Sequence, residues 1–366
     1  MSGPISLLLV DHASRRSRLH QRLEDPALDA VLITRLVNVR YLTGFTGSNG
    51  QLLAIPGGGV FFTDSRYEEQ SRREVPDLRR VIYPQKLAVA LAEVASAEGL
   101  RRIGFEAAGM TYRTWRELTD LEGIDLEPLQ EDEVERLRWA KDLEEIAHLE
   151  RAQEVTDAAF DRVIGKLAEG VTERQVAFEL DLAMREIGAE RVGFDTIVAF
   201  GEQAAEPHHG PSERALRRGD VVKMDFGCVV EGYHSDMTRT VAFGEPETRL
   251  REIHELVLRA QLAGIEAVRS GISGGEADRA ARSVIEDAGL GDRFGHSLGH
   301  GVGLEIHEGP TLRVGSEDVL PEGAVVTVEP GVYVPGLGGV RIEDAVVVGT
   351  DGCRPLPRTA KDLLVL

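Results

Sequence analysis

The chain has 366 residues, enough for two domains that each bury a core. Sixty-two Asp and Glu against 42 Lys and Arg give a formal charge of −20. Such a surface repels phosphate backbones and anionic lipids, which excludes nucleic acid and membrane surfaces as partners. The two cysteines, Cys228 and Cys353, are too few and too distant to signal a disulfide framework or a thiolate metal site. Cys228 is expected to fill core space in a strand. The apolar run at 5–10 ends at Asp11, too short for a signal peptide or a spanning helix. The chain is therefore expected to be cytoplasmic.

From the N-terminus, short apolar runs alternate with amphipathic stretches. Residues 29–33, 51–55, 59–62, 79–83 and 101–105 are predicted strands, and 12–24, 64–74 and 86–98 predicted helices. Alternation of this kind indicates an α/β domain over 1–130. Asp64 and Ser65 can cap the helix after FFTDSRY. Charge-dense residues 131–142 read as a linker into a long helix, which carries Leu143, Ile146, Leu149, Ala152, Val155, Ala159 and Val163 at helical spacing and ends at Gly170. Thr172 and Gln175 have capping-box spacing and open the next helix. Beyond 194, β-rich segments at 195–200, 221–229, 233–242, 324–329 and 340–349 enclose helical stretches near 248–269 and 275–288. That pattern predicts an α+β domain over 143–366.

Five residues in this second domain read as a two-metal hydrolase site: Asp225, Asp236, His300, Glu329 and Glu343. Four carboxylates balance the four charges of two divalent cations. An oxygen-rich set with one imidazole and no thiolate suits manganese, with cobalt or zinc as substitutes. Two such ions about 3.5–4 Å apart can share a water, lower its pKa and polarise a carbonyl, which is hydrolytic chemistry.

The local contexts agree. KMDFG at 223–227 and HSDMTRT at 234–240 read as one β-hairpin. A two-residue loop at Val230-Glu231 would set Asp225 directly opposite Asp236, roughly 5 Å apart at Cβ, where like charges need a cation between them. His296, His300 and His307 crowd one glycine-rich segment whose glycines disfavour a helix and favour a tight loop or strand. One of the three is expected to bind metal while its neighbours orient or contact substrate. GHGVG is not a phosphate loop, since it lacks both GxGxxG and a Lys-Ser/Thr ending. Glu329 falls at a strand end before Pro330-Gly331. Glu343 falls inside an apolar strand, where a buried charge needs either a metal or an ion pair with Arg341. PHHGPSE at 207–213 adds two adjacent histidines in a turn-rich loop.

Taken together, MDFG at 224–227, SDMTRT at 235–240, GHGVGLEIHE at 299–308, VEPGVY at 328–333 and VRIED at 340–344 resemble the proline-specific branch of the pita-bread metallopeptidases. NVRYLTGFTGSNG at 38–50 and FFTDSRY at 61–67 extend the likeness through the N-terminal half. The resemblance implies a creatinase-type N-terminal domain followed by a pita-bread catalytic domain. It implies that Asp225 chelates one metal, His300 and Glu329 bind the other, and Asp236 and Glu343 bridge both. His208 and His307 would bind the scissile carbonyl region and stabilise the tetrahedral intermediate. His296 and Arg341 would hold ligands and substrate from behind, and Glu329 would pass a proton to the departing proline nitrogen. His209 has no counterpart. All five ligand positions are filled, which argues against metal-free members such as creatinase and the histone-binding chaperone domains. The N-terminal domain argues against methionine aminopeptidases.

One departure bears on substrate length. Many prolidases resemble HExPR where this chain has HEGPTL at 307–312, so Thr311 stands in the place of an arginine that can meet a dipeptide carboxylate, with Arg313 nearby. Loss of that clamp points to an aminopeptidase P acting on Xaa-Pro-Yaa peptides. A prolidase acting on Xaa-Pro dipeptides is the alternative, and a catalytically silent peptide-binding module on the same fold is the rival from another class. The expected partners are proline-containing peptides and, because the family usually forms dimers, a second copy of the chain.

Overall fold

The computed structural model describes residues 11–23, 27–84, 86–129 and 132–366. The apolar run at 5–10 lies outside the described residues. The chain divides into two compact units, Met1–Arg138 and Trp139–Leu366.

The first unit is built on a six-stranded mixed sheet. Its order is Arg79–Ile82, Gly58–Thr63, Gln51–Ile55, Ala30–Ile33, Arg102–Phe105 and Asp125–Pro128. Five of these strands are those predicted from the apolar runs; the sixth, Asp125–Pro128, has a weak pattern and was not expected. The helix Leu87–Glu98 lays Leu91, Val94 and Ala95 into a core shared with Leu32, Leu53, Phe62 and Ile103. Each fully buried aliphatic or aromatic side chain of that kind contributes about 1.5–3 kcal/mol. Asp64 accepts a hydrogen bond from the Arg66 N–H and so opens the turn Ser65–Tyr67 that leads into the helix Glu68–Glu74, as expected.

A helix over Leu36–Thr43 was not expected, for a physical reason. Its N-cap, Arg35, offers no side-chain cap. Buried Glu106 instead accepts from the N–H groups of Thr34 and Arg35 and from Asn38 Nδ2, at 2.6, 3.0 and 2.6 Å. A capping carboxylate from so far along the chain leaves no local signal.

The second unit opens with the helix Leu143–Ile164, held by a complete capping box between Asp142 and Glu145. It stops at Ile164, with Gly165 as its C-cap, and not at Gly170 as the spacing suggested. Thr172 and Gln175 do form the expected capping box, at the start of the helix Glu173–Ile187. Both helices pack Val155, Phe160, Leu180 and Met184 against Val198, Val222, Phe226 and Val241 of the sheet formed by Ile197–Phe200, Asp220–Phe226 and Met237–Phe243. In the C-terminal half, the helices Thr248–Ala267 and Gly274–Asp287 pack in the same manner on a five-stranded sheet that includes Gly299–Gly301, Val325–Val328 and Asp344–Val348. Helix pairs covering strands give the expected α+β unit. Among the described residues, no helix is long and apolar enough to cross a membrane.

The hairpin that carries both aspartates differs from expectation in register. Its turn is Glu231-Gly232, both at positive φ (49° and 79°), so that Val230 pairs with Tyr233 and Asp225 with Thr238. Positive φ at both central residues suits the right-handed twist of a hairpin, and glycine accepts it most readily. Asp236 therefore faces Gly227 and not Asp225. Because the displacement is two residues, both aspartates keep the same face. The ladder opens at Gly227, where the Cys228 N–H is donated to the Ser235 hydroxyl at 2.9 Å. A Cβ at residue 227 would lie 2.0 Å from the Ser235 carbonyl oxygen, so the close approach requires glycine.

Candidate metal centre

A cavity of about 580 Å³ in the second unit is lined by Asp225, Asp236, His300, Glu329 and Glu343, together with His208, His296, His307 and Arg341. The five ligand candidates arrive from five different segments of the chain. Asp225 belongs to Asp220–Phe226, Asp236 precedes Met237–Phe243, and His300 is the middle residue of Gly299–Gly301. Glu329 follows Val325–Val328 directly. Glu343 does not lie inside a strand as expected: the strand breaks between Gly338–Arg341 and Asp344–Val348, which frees its side chain to turn into the cavity.

Asp236, His300 and Glu343 each bring one ligand atom within 4.8 Å of the others. His300 Nε2 lies 3.3 Å from Glu329 Oε1 and 3.6 Å from Asp236 Oδ2. The His307 ring meets the His300 ring edge-on, with centroids 4.4 Å apart. Asp225 accepts from Arg341 through Oδ2, while Oδ1 is buried without a hydrogen-bond partner among the described residues. The alternative partner considered for Arg341, Glu343, is not the one it takes: its ion pair is with Asp225.

The electrostatics follow from this crowding. Burial, then the charge of Asp225, pushes Asp236 well above the usual carboxylate range. Burial, then Asp236 and Glu329, does the same to Glu343. Burial opposes a charged ring at His300, yet Glu329 and Asp236 outweigh it and lift the imidazole to about 9. Glu329 is likewise penalised by burial but is lowered to about 2 by His300. An orphaned buried oxygen, carboxylates that repel one another and one converging imidazole form a donor set that fits divalent cations.

Several residues around the site were missed. Thr238 Oγ donates to Glu343 Oε2 at 2.6 Å and accepts from Arg341 Nε at 3.0 Å. Thr327 Oγ donates to Glu329 Oε1 at 3.0 Å and accepts from the His300 N–H at 3.0 Å. The Tyr333 hydroxyl lies 2.9 Å from His296 Nε2 and accepts from Arg341 Nη1 at 3.0 Å. Glu308, beside His307, forms a buried ion pair with Lys141 at 2.7 Å. The available signal was the density of hydroxyl and charged residues in otherwise apolar strands, since each buried polar group requires a partner.

The two adjacent histidines both line the cavity, but His208 is exposed whereas His209 is buried between Glu173 and Glu206. Thr311 does not line the cavity. Its N–H and hydroxyl both donate to Asp318 Oδ2, each at 2.9 Å, so it serves a local turn. Arg313 is exposed and also lies outside the cavity lining.

Residues 147–350 match metallopeptidase family M24, and residues 15–140 match the creatinase/prolidase N-terminal domain. The chain is 37% identical to an Xaa-Pro dipeptidase of Pyrococcus furiosus over 96% of its length and 99% of that protein. Among solved structures, an Xaa-Pro dipeptidase from Bacillus anthracis superposes with a TM-score of 0.94 at 39% identity, covering 97% of this chain and all of that one. An X-Pro aminopeptidase from Thermotoga maritima gives 0.89 at 35% identity, covering 95% of this chain and 100% of the other.

Proposed function

The chain belongs to metallopeptidase family M24, and from that premise we propose that it is an Xaa-Pro dipeptidase using two divalent cations. The carrying observation is the single cavity that gathers Asp225, Asp236, His300, Glu329 and Glu343 beside His208 and His307. Asp236 and Glu343 would bridge the two ions, Asp225 would complete one site, and His300 and Glu329 the other. When bound, the cations supply an activated water and a polarised carbonyl. Manganese matches the donor set best.

The chain's own groups provide the rest. His208 and His307, both on the cavity wall, would donate to the scissile carbonyl oxygen as charge develops on it. Glu329 accepts a proton and delivers it to the proline nitrogen as the bond breaks. Arg341, tied to Asp225, Thr238 and Tyr333, holds the floor of the cavity. Phe194, Ile197 and Ile306 give the cavity an apolar wall against which a pyrrolidine ring can pack. Five ligand candidates in one cavity favour catalysis over a silent peptide-binding module.

The preference for dipeptides replaces the aminopeptidase P expectation. That expectation relied on Thr311, whose donors are committed to Asp318. Relatives named Xaa-Pro dipeptidase extend over nearly the whole chain and support the shorter substrate. The aminopeptidase reading keeps one specific support, the likeness to the Thermotoga maritima structure. The same proposal includes proline-containing peptides as partners, a homodimer, and a cytoplasmic setting consistent with two free cysteines. The deciding experiment quantifies products from an Xaa-Pro dipeptide and an Xaa-Pro-Yaa tripeptide with Mn²⁺-loaded protein. Dipeptide kcat/KM equal to or above that of the tripeptide is expected. A tripeptide preference of roughly tenfold, about 1.4 kcal/mol of transition-state binding, would restore aminopeptidase P.

A further inference from the structure

His209 lines the cavity but is not among the ligand candidates, since both its ring nitrogens face carboxylates outside that set. Its neighbour Glu173 is fully buried at the first position of the helix Glu173–Ile187, where the helix dipole favours a carboxylate. One oxygen of Glu173 accepts from the Phe200 N–H at 2.7 Å. The other accepts from the Ser212 N–H and hydroxyl at 2.9 and 2.6 Å and lies 2.9 Å from His209 Nε2. His209 Nδ1 lies 2.8 Å from Glu206 Oε2. A ring with a carboxylate at each nitrogen donates from both only as imidazolium. Burial disfavours that charge, but Glu206 and Glu173 outweigh it and raise the pKa of His209.

Two further side chains, Lys223 and Arg341, hold the same loop through its carbonyls. Lys223 Nζ donates to the carbonyls of Ala204 and Glu206 at 3.1 and 2.5 Å. Arg341 Nη1 donates to that of Pro207 at 3.2 Å. The residues on either side of His208 are therefore fixed, while the His208 side chain itself remains exposed to the cavity. Buried ion pairs contribute little net stability compared with apolar packing, so stability alone does not account for this arrangement.

We propose that Glu173 and His209 form a clamp that sets the reach of His208 into the cavity, making His209 a positioning residue for the peptidase reaction. This role rests on the function read above.

A double-mutant cycle on the metal-loaded chain tests it, using His208→Ala, His209→Gln and the two combined. His209→Gln should lower kcat roughly ten- to hundredfold with KM and metal content little changed, the scale of a small misplacement. The double variant should be no slower than His208→Ala alone. Losses that multiply, or a His209→Gln kcat within twofold of wild type, would overturn the clamp. If His209→Gln does not fold, Glu206→Gln removes only the exposed partner, and its loss should likewise vanish in a His208→Ala background; a loss that persists there overturns the clamp. Independently of activity, a long-range ¹H–¹⁵N spectrum of the metal-free chain at neutral pH should show His209 doubly protonated, and Glu173→Gln should abolish that signature. A neutral His209 ring in the wild type overturns the clamp by itself. A wild type that hydrolyses no Xaa-Pro substrate would instead overturn the peptidase reading, leaving the spectrum to decide the clamp.

Discussion

The hydroxyl of Thr238 donates to Glu343 at 2.6 Å while accepting from Arg341 at 3.0 Å, so one buried side chain orients a candidate bridging carboxylate and a neighbouring cation together. Thr238→Val keeps the shape and removes both bonds. Metal affinity, measured by competition with a chelator, should fall roughly 10- to 100-fold, as for other groups that orient a ligand. Stability should fall by about 1 kcal/mol for each of the two lost hydrogen bonds. Unchanged affinity would show that Glu343 needs no such support.

Asp236→Ala or Glu343→Ala should remove activity and most bound metal, because the two carboxylates converge with His300 in one cluster and would bridge both ions. Elemental analysis of the purified variants checks this. Two ions retained in either variant would remove that residue from the bridging role.

For His208→Ala and His307→Ala the pattern should be the reverse. Metal should stay while kcat falls by about 10²–10³, the usual loss for one donor to a developing oxyanion. Loss of metal in either variant would make that histidine a ligand.

Metal removal should introduce a pH dependence of a definite sign. In the metal-free protein His300 is raised from 6.5 to about 9, by Glu329 and Asp236 acting against burial. The stability it contributes is therefore complete below about 6.5 and lost as pH rises through about 9. Asp236 and Glu343, also raised, act in the same direction. Glu329, lowered to about 2, keeps its contribution until strong acid. The Tm of metal-free protein should fall as pH rises between those limits, and Mn²⁺ should flatten the curve. A metal-free Tm that does not change across this range would argue against the His300–Glu329 pair.

Much of this was legible from residue patterns, and the exceptions share a cause. Apolar runs located five strands of the first sheet: four are largely buried and leave a continuous local record, while the fifth, Arg79–Ile82, is marked only by Val81 and Ile82. The five ligand candidates stood out because charged residues interrupt apolar segments. The hairpin register was misjudged by two residues, since both Val230-Glu231 and Glu231-Gly232 are plausible loops and only the second places glycine at the last position of the turn. The helix capped by Glu106, and the pairing of Thr238 with Glu343, depend on contacts across about 70 and 105 positions, where spacing carries no information. His209 carries no such signal in the sequence, because its partner Glu173 lies 36 positions away and meets it only after folding.

The close approach at Gly227 places a constraint on the metal centre made of hydrocarbon alone. A single methyl group there would press on the backbone of Ser235, between the strand that carries Asp225 and the segment that carries Asp236. The two carboxylates would move apart with no polar atom altered. The spacing between Asp225 and Asp236 is thus written into a missing side chain as much as into the carboxylates themselves.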